Sequence, residues 1–182
     1  SYTDLIGSAG IIDADGCSYG NYPDKFSSHE HAFKLSVEHG KTIYFGRDKQ
    51  NFFEPQAQLI LGRLNGRYYN TDRMTNVDVS ATNSAIGRLG FVLGRKTPDK
   101  NELYFKASIL HEFAGSQDIS LAAANGEHMH VKNDYGDTWW ELGLGGNWKL
   151  SKVSHFYADI ERSCQANVDK TIQINMGLRF EF

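Results

Sequence analysis

The sequence holds no run of apolar residues approaching the roughly 20 that a helix needs to cross a bilayer. That absence excludes a helical span and nothing more. A barrel strand crosses with only about 9 to 11 alternating residues, so a mean hydropathy of -0.48 is compatible with a membrane. An N-terminal signal peptide is also missing, from which we expect a processed or truncated chain. Positive charge is not in excess, with 19 Lys and Arg against 22 Asp and Glu and a net charge of -3, so a nucleic-acid partner has no basic footing. Chemistry-bearing clusters are scarce too. Seven histidines occur, among them the pairs His29/His31 and His128/His130, but His128 and His130 read as loop residues and no cysteine or carboxylate cluster completes either pair. No metal, no cofactor and no enzymatic activity is expected.

What the chain has is alternation. From Ile172 to Phe182 every even position is apolar (Ile172, Ile174, Met176, Leu178, Phe180, Phe182), and every odd one is polar or glycine (Gln173, Asn175, Gly177, Arg179, Glu181). A pleated strand sends successive side chains to opposite faces, so this is a strand with one wholly apolar side. The same pattern returns along one domain of 182 residues. Leu5, Ala9 and Ile11 oppose Asp4 and Ser8. Phe33, Leu35 and Val37 alternate with Lys34, Ser36 and Glu38, and this strand is expected to run on through Ile43 to Phe45. Phe53, Ala57, Leu59 and Leu61 oppose Glu54, Gln56, Gln58 and Gly62, with Pro55 expected near the strand's start because proline cannot donate to a ladder. Leu89, Phe91 and Leu93 oppose Arg88, Gly90 and Gly94; Leu103, Phe105 and Ala107 oppose Tyr104 and Lys106, with Glu112 continuing the polar face. Leu142, Leu144 and Trp148 oppose Glu141, Gly143 and Gly145. Phe156, Ala158 and Ile160 oppose Tyr157, Asp159 and Glu161.

Eight strands follow, joined by connections that alternate long and short. The long ones, Asp13 to Asp24, Arg63 to Asn83, Ala114 to Asp137 and Cys164 to Asp169, read as polar loops. Tight turns on one side and extended loops on the other are the habit of outer-membrane barrels. Trp139, Trp140, Trp148, Tyr44, Phe45, Tyr157 and Phe182 near strand ends suit interfacial girdles. A soluble barrel of the lipocalin or avidin kind would alternate as well, with its apolar face inward. Two features favour the membrane. Charges of both signs, Glu54, Arg88, Lys106, Glu112, Glu141, Asp159, Glu161 and Arg179, recur on the polar faces, as a crowded lumen requires. Glycines recur on the same faces and leave room for them.

The stretches Phe53 to Leu59, Ser84 to Gly90, Trp140 to Gly146, Phe156 to Glu161 and Gly177 to Phe182 resemble the C-terminal translocator domain of bacterial autotransporters, over nearly the whole chain from about residue 30. The resemblance implies an antiparallel up-and-down transmembrane β-barrel in a Gram-negative outer membrane, with a periplasmic C-terminus and extracellular long loops. It implies type V secretion of an N-terminal passenger, and insertion by the barrel-assembly machinery through a C-terminal signal carried here by Gly177, Leu178, Phe180 and Phe182. Outer-membrane lipid, the assembly machinery and the chain's own passenger are the implied partners. The family barrel has twelve strands around a linker helix; this chain supplies about eight and no helix. It therefore resembles the C-terminal two-thirds of a translocator, or a barrel that closes on eight strands, and an outer-membrane enzyme or adhesin barrel stays open as an alternative. Were it to close on eight, Cys17 and Cys164 would lie on neighbouring long loops, within reach of a disulfide.

Overall fold

The computed structural model describes residues 1–20, 23–164 and 172–180. All of its regular structure is β: β1 (Tyr2–Cys17), β2 (Lys25–Gly40), β3 (Ile43–Phe45), β4 (Asn51–Leu64), β5 (Arg67–Asn70), β6 (Asn76–Val79), β7 (Thr82–Lys96), β8 (Glu102–Glu112), β9 (Ser116–Ala122), β10 (His128–Asp134), β11 (Thr138–Lys149), β12 (Ser154–Cys164) and β13 (Gln173–Phe180). Eight long strands pair in the order β1-β2-β4-β7-β8-β11-β12-β13, each antiparallel to the next, and the sheet they form is curled into a half-barrel. β3 pairs beside it on β4. β1 pairs only with β2 and β13 only with β12 among the described residues, so the sheet has two open edges.

The faces are inverted relative to a soluble protein. On β4 the apolar outward residues Phe53, Ala57, Leu59 and Leu61 are exposed, whereas Glu54, Gln56 and Gln58 between them are half-buried. Leu144 on β11 is 54% exposed and Met176 on β13 is 67% exposed. Water would penalise such a surface, because apolar area left exposed forgoes about 25 cal/mol per Å². A soluble barrel is thereby disfavoured, since its apolar face would be the crowded one.

Three local expectations are corrected. Pro55 is the fifth residue of β4 rather than near its start, and the strand tolerates it because β2 and β3 hand over there: Gly40 pairs with Gln56 and Ile43 with Phe53. The missing N–H falls in that gap, while the Pro55 carbonyl still accepts from Lys41 at 3.3 Å. The same gap breaks the second strand after Gly40, so it does not run on to Phe45. The stretches 63–83 and 114–137, expected as loops, instead carry β5, β6, β9 and β10, which form a second sheet in the order β10-β9-β6-β5. Its apolar face buries Val77 and Val79, and Phe26 of β2 stacks on Tyr69 of β5 with ring centroids 5.1 Å apart.

Glycines in the main sheet mostly lie under aromatic rings rather than under charges. A Cβ added to Gly40, Gly94 or Gly145 would lie 2.6 Å from the ring of Tyr2, Phe52 or Tyr104 respectively. Each ring belongs to the adjacent strand and crosses the glycine, which has no side chain to obstruct it. Gly143 keeps the expected role, since its open space is filled by the Glu161 carboxyl arm at 3.6 Å.

Candidate functional site

The inner wall of the half-barrel and the terminal strand are the two places where side chains other than outward-facing hydrophobes converge. Strand parity builds the wall. Residues opposite one another in register share a face, so Tyr2, Glu38, Gln56 and Arg88 on four successive strands all point inward. The Tyr2 hydroxyl lies 2.9 Å from Glu38 Oε1 and 3.1 Å from Glu54 Oε1, which share its one proton, and accepts from Gln56 Nε2 at 2.9 Å. Arg88 Nη2 closes the set on Glu38 Oε2 at 2.6 Å. One hydroxyl, one amide, two carboxylates and a guanidinium thus tie β1, β2, β4 and β7 together.

A second cluster spans β8 to β13. Lys106 Nζ lies 3.2 Å from Asp159 Oδ2 and 3.7 Å from Glu161 Oε2, and 5.4 Å from the Tyr104 ring centroid. Asn175 Nδ2 donates to Asp159 Oδ1 at 2.9 Å. The intervening strand β11 presents Gly143 and Gly145 here, which lets the lysine reach across it. Glu141 accepts from the Trp139 indole at 3.2 Å. Glu112 is buried and ends a strand instead of pairing with a cation: its Oε1 accepts the backbone N–H groups of Ala85 at 2.7 Å and Ala114 at 3.0 Å, and Ser84 donates to Oε2. Arg179 is inward on β13 opposite His155. The structure therefore brings Glu54 and Arg88 into one network and Lys106, Asp159 and Glu161 into another, and leaves Glu112 and Glu141 apart from both.

Sequence reasoning places Gln56 and Asn175 on polar faces without a role, and it misses Tyr2 and the Glu30–Arg67 pair, in which the carboxylate is 3% exposed. Partners on different strands become visible only once the register is known, and Arg67 sits in a stretch that reads as loop.

Parity also divides the aromatics. Trp140, Trp148 and Phe45 face outward, and Trp148 stacks on Phe156 at 5.8 Å. Trp139, Tyr157 and Tyr44 share the inner face, opposite Leu110, Asn147 and Phe52, and so are not girdle residues. On β13, Gly177 is inward under the Tyr157 ring, whose hydroxyl would lie 2.5 Å from an added Cβ, while Leu178 and Phe180 are outward and exposed. Phe182 and the last hairpin turn lie outside the described residues.

The disulfide that closure on eight strands would allow is not formed here. Cys17 and Cys164 are free thiols at the ends of β1 and β12 rather than in loops, and among the described residues β1 does not pair with β13. His128 and His130 are on β10, not in a loop; His130 Nδ1 is 3.0 Å from Ser120 Oγ and Nε2 is 3.7 Å from Asp118. No group of three potential metal ligands occurs among the described residues. Beyond the apolar band, His29 is hydrogen-bonded to Asp13, and that bond and charge raise its pKa. Asp24 has a lowered pKa, first through the Thr71 hydroxyl and then through the N–H groups of Arg73 and Lys25, each at 3.0 Å.

The arrangement matches known proteins. The Autotransporter beta-domain family matches residues 1–161. The BrkA autotransporter of Bordetella pertussis is 27% identical over 155 residues, which cover 81% of this chain and 14% of that protein. The pertactin autotransporter of Bordetella parapertussis is 28% identical over 165 residues, 88% of this chain and 17% of that protein. Among solved structures, the crystal structure of the beta domain of the Bordetella autotransporter BrkA superposes with a TM-score of 0.71 at 23% identity, covering all of this chain and 67% of that one. The chain thus spans only 14% and 17% of the length of those two relatives.

Proposed function

Because the chain belongs to the autotransporter β-domain family, we propose that its curled sheet is a translocator barrel that anchors an N-terminal passenger in the outer membrane and helps export it by type V secretion. The observation that carries this reading is the inverted sheet: exposed aliphatic residues outside, a hydrogen-bonded polar wall inside. A lipid-facing surface has this form and a soluble ligand-binding barrel has the opposite one. The end of the sheet near Phe180 is periplasmic, and the opposite end, with the second sheet, is outside the cell.

Residues 1–182 act as one translocator unit within a larger ring. The open edges of β1 and β13 support this, since an unpaired edge is a template for another strand. The 67% of the BrkA beta domain that this chain covers is in keeping with it. The final strand is also the one read by the barrel-assembly machinery, with Gly177, Leu178, Phe180 and Phe182 as its signal; edge pairing is a known way to recognise an extended segment. The inner charges serve the wall and not catalysis, because they are engaged by one another or by neighbouring hydroxyl, indole and backbone donors. A passenger carrying an epitope tag, expressed with this barrel, should appear in the outer-membrane fraction and be cleaved by protease added to intact cells. Recovery of the protein in the soluble periplasmic fraction would end the reading.

A further inference from the structure

We propose that the outward surface of β1, β2 and β4 is a site for a phosphorylated glycolipid of the lipid A class, with an acyl chain in a furrow beside β1 and a phosphate on Arg63. The proposal rests on the membrane orientation given above. The furrow has a volume of about 560 Å³ and is lined by Gly7, Ala9, Phe33, Leu35, Leu61 and Arg63. Register explains it. Gly7 lies opposite Leu35 and Ala9 opposite Phe33, so two positions with almost no side chain face two large ones, and the next outward row brings Leu61 and Arg63 alongside. A Cβ placed on Gly7 would meet nothing within 4 Å among the described residues, so no side chain of β2 or β4 fills the space. Its size falls in the range of about 300 to 1,000 Å³ typical of small-molecule sites.

Arg63 gives the furrow a chemical end. The outward residues of β4 from Phe53 to Leu61 carry no charge, and this nine-residue stretch matches the roughly 9 to 11 residues of a spanning strand. Arg63 is the next outward position, at the level where hydrocarbon gives way to headgroups. Its guanidinium is steadied by two neutral amide oxygens, Asn83 Oδ1 at 3.0 Å and Asn65 Oδ1 at 3.4 Å, so its charge is held in place without being cancelled. His31 follows Phe33 on the same face, opposite Ile11. The outward carboxylate of Asp13, two pairs further on, is engaged by His29. The planar fork of an arginine beside an apolar furrow suits a phosphate joined to acyl chains. Of the two leaflets, this end of β4 lies on the side of the second sheet and away from Phe180, hence the outer leaflet and its phosphorylated glycolipid.

The test uses the protein extracted from outer membranes in detergent and native mass spectrometry with three added lipids: bisphosphorylated lipid A, the same lipid A after phosphatase treatment, and phosphatidylglycerol. We expect lipid A to bind, phosphatase treatment to weaken it, and Arg63→Gln to weaken it about tenfold, as for loss of a charge-assisted hydrogen bond. Gly7→Leu, which fills the furrow without a clash, should also weaken it while leaving outer-membrane recovery unchanged. Equal binding by wild type and both variants, or equal binding of phosphatidylglycerol and lipid A, would overturn the proposal. Failure of the wild type to reach the outer membrane would instead remove the translocator reading beneath it.

Discussion

Gly177 shows how one position can matter to a strand that carries almost no buried area. Its inward side is occupied by the Tyr157 ring from β12, so a larger residue must displace that ring or push β13 away from its only neighbour among the described residues. Gly177→Leu should therefore slow appearance of the folded, heat-resistant form in cells, and adding Tyr157→Ala should restore part of the rate. No recovery in the double variant would mean that the glycine acts through something other than the ring. Leu144 tests the opposite face. It sits mid-strand on β11, opposite Phe105 and Ile160, and is 54% exposed. Leu144→Arg should cost about 2 to 4 kcal/mol of stability in lipid, the range for a cation at the bilayer midplane. Gln173→Arg, inward and opposite Glu161, should cost far less. Equal losses in a urea titration in vesicles would contradict the assignment of faces.

The elements divide into those that must span and those that need not. The β1–β2 turn is pinned to the β5–β6 turn by Asp24, whose carboxylate accepts from Arg73 N–H, while the Lys25 carbonyl accepts from Asp72 N–H at 3.1 Å. Because its folded pKa is lowered, the clamp contributes fully above the unfolded value of about 3.9 and is lost as pH falls through the lower folded value. Hydrogen exchange at the Arg73 amide should accelerate in that acid window, and Asp24→Ala should give the fast rate already at neutral pH; an unchanged rate in the variant would refute the clamp. The same contrast explains what the sequence made legible. Eight long strands announce themselves because an apolar outer face and a charged inner face force a period of two. β5, β6, β9 and β10 do not: they are four to seven residues long and lie in stretches rich in Asn, Asp and Gly, whose alternation is too brief to register. The distal parts of β1 and β2 were missed for a related reason. Past the apolar band the outward face turns polar, with Asp13 opposite His29 and Asp15 opposite Ser27, while Ile12, Ala14 and Phe26 lie inward among Glu30, Ser28 and Gly16, so the apolar-out alternation that marks the strands stops there. Facing of the inner charges was readable from parity, but which charge meets which depends on register and on Gly143 and Gly145 letting Lys106 cross a strand.

At the scale of the whole molecule the open question is closure, and the two native thiols measure it. An eight-strand barrel has an interior just wide enough for its own side chains, and this inner wall already holds Glu54 and Arg88 in one network and Lys106, Asp159 and Glu161 in another. On the translocator reading proposed above, a passenger segment could not share that space, and further strands would stand between β1 and β13. Cys17 ends β1 and Cys164 ends β12, both at the end of the sheet away from Phe180. If β1 and β13 met directly, only β13 would stand between the two cysteine-bearing strands, about two inter-strand spacings of 4.7 to 4.9 Å, and fraying of the two strand ends could bring the sulfurs together. With extra strands between the edges the gap grows by one such spacing for each. In the translocator ring the thiols should thus label independently with a maleimide, and mild oxidation in outer membranes should leave gel mobility unchanged without reductant. An efficient, reductant-sensitive mobility shift within single chains would mean that β1 and β13 are neighbours, that the ring closes on eight strands, and that this lumen is plugged.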